Sequence, residues 1–394
     1  MVNLFKARLN EAKDMILRCV GERGIYAGTL RYRHQCWTRD LAYSIDALIN
    51  LGQAEAVKTH LLTIAKKQNK SGRVPIMYIT SYTGFLRIHA HDLLTHKRRV
   101  IQQVRLYAKK FNPLKFSFQN ITPWTTDGEM LFIIAAIRYF DRTHDADFIN
   151  EIYPSLKKAL NYIEKHNLNE DDFVTGGDWR DVNIALDNAV LLINNALLYK
   201  VYLVMGEKKK AEILRERIND AFWTGSYYRD RLGSDEFDTL GQSWAVLYDV
   251  VPKERYASVA KKYYDVDSAH GLRVNNNVPD NSLIDPSVQA FTDQFGTIWP
   301  FVTGSGVLAL IKMGSFDFAK EQFIKWTELK GFYEWYNADS GSGLGDREQL
   351  WSAALYILVT ERMLQKDIAK ITPGLTINDY IDVVPTLNFD PLIV

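Results

Sequence analysis

The chain has 394 residues, 47% hydrophobic, 24% charged and 12% aromatic, and its 48 Lys and Arg against 47 Asp and Glu leave a net charge of +1. Such a composition excludes a disordered chain, and so even a charge balance excludes a general nucleic-acid binder, which needs surplus positive charge for phosphates. A chain of this length buries about three quarters of its surface on folding, enough for a full core.

From the N-terminus, residues 3–20 set Leu4, Leu9, Met15, Ile16 and Val20 at helical spacing among charges and predict an amphipathic helix. This stretch lacks the continuous apolar run and small-residue cleavage site of a signal peptide, so a soluble, cytoplasmic protein is expected. Cys19 and Cys36 lie beside apolar residues with no CxxC and read as buried free thiols. Further helices are predicted over about 38–51, 53–68, 127–142, 146–166, 186–205, 208–222, 239–249, 253–264, 297–313, 315–329 and 347–365. The longest apolar run, Leu131–Ile137, is far too short to span a bilayer, and no membrane partner is expected. Strand signals are confined to Phe222–Arg229 and Gly271–Val274.

The helices come in pairs. Links within a pair are short, as at Leu51-Gly52 and Met313-Gly314, which forces antiparallel neighbours. Segments such as 131–137 and 307–311 are apolar on most faces and belong inside, whereas 208–222 and 253–264 carry many charges and belong outside. The expected fold is therefore all-α, an (α/α)6 toroid of about twelve helices in inner and outer rings. Its long connecting loops would lie at one rim. Residues 1–370 read as one domain. Within it, 87–115 holds Arg87, Lys97, Arg98, Arg99, Arg105, Lys109, Lys110 and Lys115 against Asp92 alone, a basic excursion read as a solvated flap, or as a lid or docking patch for an anionic partner. Residues 371–394, with Pro373, Pro385 and Pro391, read as an extended strap.

The loops hold the chemistry. Five clusters set Trp among acidic, basic, amide and hydroxyl residues. They contain Trp37, Arg39 and Asp40; Trp124 and Asp127; Asp178, Trp179, Arg180 and Asp181; Trp299; and Glu334 with Glu348, Gln349 and Trp351. Aromatic rings pack on the apolar faces of sugars, and charged or amide groups fix their hydroxyls. Two carboxyls can then cut a glycosidic bond, one protonated and one ionised. Each acid also has a local reading: Thr38 with Asp40, Asp127 with Glu129, Asp178 with Asp181, and Glu348 suit helix caps or first turns. His89, His91, Asp92 and His96 match no common metal spacing, and there is no GxGxxG, Walker or GxSxG motif, so neither metal nor cofactor is expected.

These clusters resemble the (α/α)6-barrel glycoside hydrolases, in pattern the amylo-α-1,6-glucosidase domain of glycogen debranching enzymes and the alkaline/neutral invertases. The matching stretches are Trp37–Ala65, Thr126–Phe140, GDWRDV with the later INNALLY, GTIWPFVTG at Gly296–Gly304, and YEWYNADSGSGLGDREQLWSAALYI, together spanning about residues 30–365. Departures occur at Asp293-Gln294-Phe295 and at Leu192, and the trehalase SGWD signature is absent. The resemblance implies Asp181 as general acid, with Asp178 as a rival, and Glu334 as general base of an inverting reaction. It also implies that Arg39 and Asp40 grip the sugar, that Asp127 contacts a hydroxyl, and that Trp299 and Trp351 form walls. The expected activity is an exo-acting α-glucosidase of the amylo-α-1,6-glucosidase type on a small or oligomeric sugar. A β-fructofuranosidase, a trehalase-like disaccharide hydrolase, a sugar epimerase and a non-catalytic carbohydrate-binding scaffold stay open beside it.

Overall fold

The computed structural model describes residues 2–95, 122–181, 183, 186–276, 296–365 and 377–384. Twelve helices build the body: α1 (Val2–Cys19), α2 (Thr38–Asn50), α3 (Ala54–Lys67), α5 (Gly128–Thr143), α6 (Ala146–His166), α7 (Leu192–Val204), α8 (Lys208–Ala221), α9 (Thr239–Leu247), α10 (Tyr256–Lys262), α11 (Pro300–Lys312), α12 (Phe316–Glu328) and α13 (Leu350–Gln365). Two more are α4 (Tyr82–Thr95) and α14 (Ile377–Ile381), the latter packed on α1 through Lys6 and Asp379.

Six helices close a ring. α2 packs on α5, α5 on α7, α7 on α9, α9 on α11, α11 on α13, and α13 returns to α2. Burial follows the sequence pattern. Every residue of α11 but Lys312 is buried because its apolar residues face all ways, and every residue of α2 but Ile49 is buried with its polar side chains Arg39, Asp40, Asp46 and Asn50 included. The outer helices bury one stripe: α8 only Ala211, Leu214 and Ile218, and α6 Phe148, Ile152, Leu156, Ala159, Leu160 and Ile163. The first helix, α1, lies outside α13, so the two chain ends of the barrel close on each other.

The two rims differ in their links. At one rim five of the six inner helices, α2, α5, α7, α9 and α11, pass to an outer partner through a few residues. Each such link carries one left-handed residue: Gly52 (φ 74°), His144 (55°), Gly206 (83°), Asp249 (63°) and Gly314 (82°). That conformation ends a helix and reverses the chain at once. At the other rim all six inner helices begin, and the links are long. They are laced by single bridges: Gly28 to Gln349, Thr125 to Gly177, Leu191 to Arg231, Asp238 to Asn275, Ile298 to Tyr336 and Phe332 to Glu348. Three short antiparallel pairs reinforce them, β1 (Val20–Gly21) with β2 (Gly24–Ile25), β3 (Gln35–Trp37) with β4 (Met77–Ile79), and β5 (Trp335–Tyr336) with β6 (Gly343–Leu344).

The expected twelve helices match those of the two rings, most within two residues at each end. The 186–205 helix starts late, at Leu192, because 186–191 form a turn and a bridge strand against Arg231. The 253–264 segment is α10 between two 3-10 turns, Lys253–Arg255 and Tyr263–Val266. The expected strand at 222–229 reduces to a bridge from Trp223 to Tyr228, and the one at 271–274 does not form, the bridge to Asp238 falling just after it at Asn275. Both cysteines are free and buried, and burial pushes the Cys36 thiol up to about 12. Of the basic excursion, residues 87–95 end α4 and 96–115 lie outside the described residues, as does His96; of 371–394, the described part holds α14. No helix among the described residues is long and apolar enough to cross a membrane.

Candidate active site

The long-link rim gathers most of the predicted side chains. Arg39, in the first turn of α2, is 5% exposed. Its Nε and Nη2 donate to the two carboxylate oxygens of Asp127 at 2.7 and 3.3 Å, and its Nη1 donates to Asp181 Oδ2 at 3.4 Å. Burial alone would lower the guanidinium, but Asp127 and Asp181 outweigh it and raise it above its ordinary value. Asp127 is the N-cap residue of α5, yet its side chain caps nothing; the carboxylate is turned to Arg39 instead. Thr38 likewise lies within the first turn of α2 and donates to the Pro75 carbonyl at 2.7 Å. The local capping readings of these two clusters therefore give way to tertiary contacts.

Asp181 sits after the buried Trp179 and Arg180, its side chain 18% exposed. Burial lifts its carboxyl to about 6; Arg39 opposes the rise, while Asp127 and Glu334 add to it. Its backbone carbonyl accepts the Trp124 indole N–H at 2.8 Å, which fixes the loop that carries it. Asp40 is buried beside Arg39 and accepts from Gln349 Nε2 at 3.0 Å; burial holds it well above the usual carboxylate range.

Glu334 directly precedes β5. Its Oε1 accepts from the Tyr32 hydroxyl at 2.7 Å and its Oε2 from the Asp346 backbone N–H at 2.9 Å. Its own N–H donates to the Asp346 carbonyl at 2.7 Å. Glu334 and Asp346 thus pair across the base of the β5–β6 hairpin. The Tyr32 phenol is raised by burial and by the Glu334 charge, so it stays protonated and keeps donating. Asp346 accepts from the Tyr32 N–H at 3.2 Å, and burial pushes it to about 6.

Trp179, Trp244, Trp299 and Trp351 gather in one buried aromatic cluster. Trp179 meets Trp299 edge-on at 5.0 Å and Phe301 at 5.0 Å; Phe301 stacks on Trp351 at 4.1 Å; Tyr43 joins Phe301 to Trp244 at 5.4 and 5.5 Å. Trp37 belongs to a separate apolar cluster with Ala27, Ile76 and Met77, and its N–H donates to Gln35 Oε1 at 3.1 Å.

Three predicted residues face elsewhere. Arg180 is 2% exposed and gripped by Asp178 (2.7–3.1 Å), Asp230 (2.9 and 3.0 Å) and Asp238 (3.6 Å). Both Arg180 and Asp178 are thereby committed inside the protein, and the guanidinium that meets Asp181 is that of Arg39. Glu348 turns to Arg18 at 3.1 Å and to the Thr29 hydroxyl. Residues that the sequence reading missed are Tyr32, Asp346, Asp230 and Asp238. Only Asp346 had a local signal, Gly345 immediately before it. No cluster of His, Cys, Asp and Glu suited to a metal ion occurs among the described residues.

No protein-family model matches this chain, and no curated protein matches it. Solved structures match it in fold. An alanine variant of a glycosidase superposes with a TM-score of 0.65 at 14% identity, over 92% of this chain and 97% of that one. A second glycosidase variant, in complex with glucose, gives 0.62 at 14% identity over the same shares, 92% and 97%. The GH63 mannosylglycerate hydrolase of Thermus thermophilus, in complex with Tris and D-glycerate, gives 0.60 at 12% identity, over 89% of this chain and 99% of that one. The all-α double ring is thus a shared architecture. Identities this low establish the fold alone.

Proposed function

We propose that this protein is a glycoside hydrolase, acting by inversion at the end of a sugar chain, with Asp181 as general acid and Glu334 as general base. One observation carries the reading: the two carboxyls on this rim are held in different ways. Asp181 is lifted by burial to about 6, suited to giving a proton to a leaving oxygen. Glu334 accepts two hydrogen bonds, from Tyr32 and from the Asp346 N–H, which fix the direction of its carboxyl group, suited to aiming it at a water. That the structural neighbours are glycosidases, one with glucose bound, agrees with it.

In this mechanism Arg39 and Asp127 set the position of Asp181 and bind sugar hydroxyls. Asp40 and Gln349 hold further hydroxyls, and Trp299 and Trp351 bound the ring of the sugar. The acid protonates the glycosidic oxygen as the C–O bond breaks. Water, deprotonated by Glu334, attacks the anomeric carbon from the opposite face, for which an inverting pair is about 6.5–9.5 Å apart. The preferred substrate is an α-glucoside of the amylo-α-1,6-glucosidase kind. A glycosylglycerate is the second reading, favoured by the glycerate-bound neighbour. The test is incubation with isomaltose, maltose, trehalose, sucrose, a branched dextrin and mannosylglycerate, with the first-formed anomer followed by NMR. Release of β-glucose from an α-linked substrate is expected. Retained configuration would overturn inversion, and no product from any of the six would favour a binding scaffold. Fructose from sucrose alone would select a β-fructofuranosidase.

A further inference from the structure

The Trp124 ring serves two places. Its N–H reaches the Asp181 carbonyl, and the same residue lines a separate cavity of about 220 Å³. None of Arg39, Asp40, Asp181 or Glu334 lines this cavity. Across from Trp124 stand Tyr162 and His166 at the end of α6, their rings 4.7 Å apart. Asn167 and Asn188 add amides, and Thr126 adds a hydroxyl.

Arg73, Glu129 and Asp187 are the charged residues of its wall. Glu129 is 3% exposed and accepts from the Val74 N–H at 3.1 Å. Burial lifts it to about 7 against the pull of Arg73, so near neutrality much of it is uncharged. Asp187 offsets Arg73. Such a wall has little net charge with which to hold an ion, but it has three aromatic rings, two amides and several hydroxyl partners.

We propose that this cavity is a second sugar site, which binds an uncharged mono- or disaccharide and tunes the catalytic acid through Trp124. The tuning rests on the hydrolase reading above; the binding does not. The connection is short. Gly177 N–H donates to the Trp124 carbonyl at 2.8 Å, and Thr126 N–H donates to the Gly177 carbonyl at 2.9 Å. The Asn194 amide ties Thr126 to the Gly176 and Gly177 carbonyls at 3.0–3.2 Å. The cavity wall 124–126 and the loop 176–177 therefore move as one piece, and that piece continues directly into Asp127 on one side and toward Asp181 on the other. A ligand that binds one arrangement of this piece better shifts its population.

Glucose is the probe. The Asp181→Asn protein is titrated calorimetrically, alone and with His166→Trp, which fills the cavity from an exposed helix position, or with Tyr162→Phe, which removes one hydroxyl. The expected result is a class of glucose sites that His166→Trp abolishes and Tyr162→Phe weakens, with any remaining class unchanged. Absence of glucose binding, a single class that survives His166→Trp, or displacement of glucose by inorganic phosphate would overturn the proposal. In the active enzyme, added glucose is expected to move the alkaline limb of kcat/KM in the wild type and not in His166→Trp; an identical response in both would overturn the tuning. If no substrate is cleaved, the titration still decides the site. If cleavage is found but no cavity class, only the second site fails.

Discussion

Arg39 grips both oxygens of Asp127, at 2.7 and 3.3 Å, and leaves a longer 3.4 Å contact for Asp181. Asp127 thus competes with Asp181 for one guanidinium. In Asp127→Asn the competitor's charge is gone and Arg39 is free to turn to the acid; both changes lower the Asp181 pKa. The alkaline limb of kcat/KM, where the acid loses its proton, is expected to move down by roughly one pH unit. An upward move in the measured pH profile would show that Arg39 does not govern the acid.

The carboxyl pair gives a prediction that separates its two roles. Asp181→Asn should lose about 10²–10⁴-fold in kcat on natural sugars. It should lose far less on an aryl glycoside whose leaving group needs no proton. Glu334→Gln should lose as much on both substrates, because the attack on carbon still lacks its base. Equal losses for Asp181→Asn on both substrates would remove it as the acid.

The burial of Asp181 also costs stability. The folded Asp181 carboxyl stands near 6, above its unfolded value, so the unfolded chain releases this proton first as pH rises. Its destabilising effect is absent below the unfolded pKa of about 4, grows between there and about 6, and is complete above. Asp181→Asn should therefore melt higher than the wild type at pH 7, with the gap closing toward pH 4. Melting curves at the two pH values check this, and an equal gap at both would contradict it.

Periodicity reads the rings well because burial and helical spacing are local: α6 shows its stripe of Phe148, Ile152, Leu156 and Leu160 in the bare sequence. The acids were legible as site candidates, but their partners were not. Arg180 stands next to Asp181 in the chain, yet its partners Asp230 and Asp238 arrive some fifty residues later across the rim. Tyr32 and Glu334 meet over 302 positions. Such pairings depend on closure of the ring, which no local pattern reports. The helix α4 was missed for the opposite reason: its described side chains, 82–90, bury no clean stripe, with Tyr82 and Leu86 exposed at 61% and 63%.

Arg180 compensates three buried carboxylates at once, Asp178, Asp230 and Asp238, and Asp238 is pushed up by burial to about 8 even so. Arg180→Met would leave buried charge without its partner, at about 3–5 kcal/mol. Adding Asp230→Asn should recover part of that loss. Since this cluster binds no sugar in the mechanism above, the folded fraction of each variant should keep its KM. Denaturant unfolding and kinetics on the same samples check both halves, and a KM raised with unchanged stability would return Arg180 to substrate binding.

Two glycines with the same backbone conformation separate strain from function. Gly52 and Gly345 have φ of 74° and 72°. A Cβ on Gly52 would meet nothing within 4 Å, so Gly52→Ala carries only the left-handed strain, about 1–2 kcal/mol. A Cβ on Gly345 would collide with the Glu334 carboxylate and approach Trp335 Cδ1 at 2.8 Å. Relieving that overlap moves the Glu334 carboxyl away from Tyr32 and from the Asp346 N–H. Both substitutions should lower Tm, yet only Gly345→Ala should lower kcat, by about tenfold or more for a misplaced reacting group. Equal kcat in the two variants would mean that the hairpin does not set the position of Glu334.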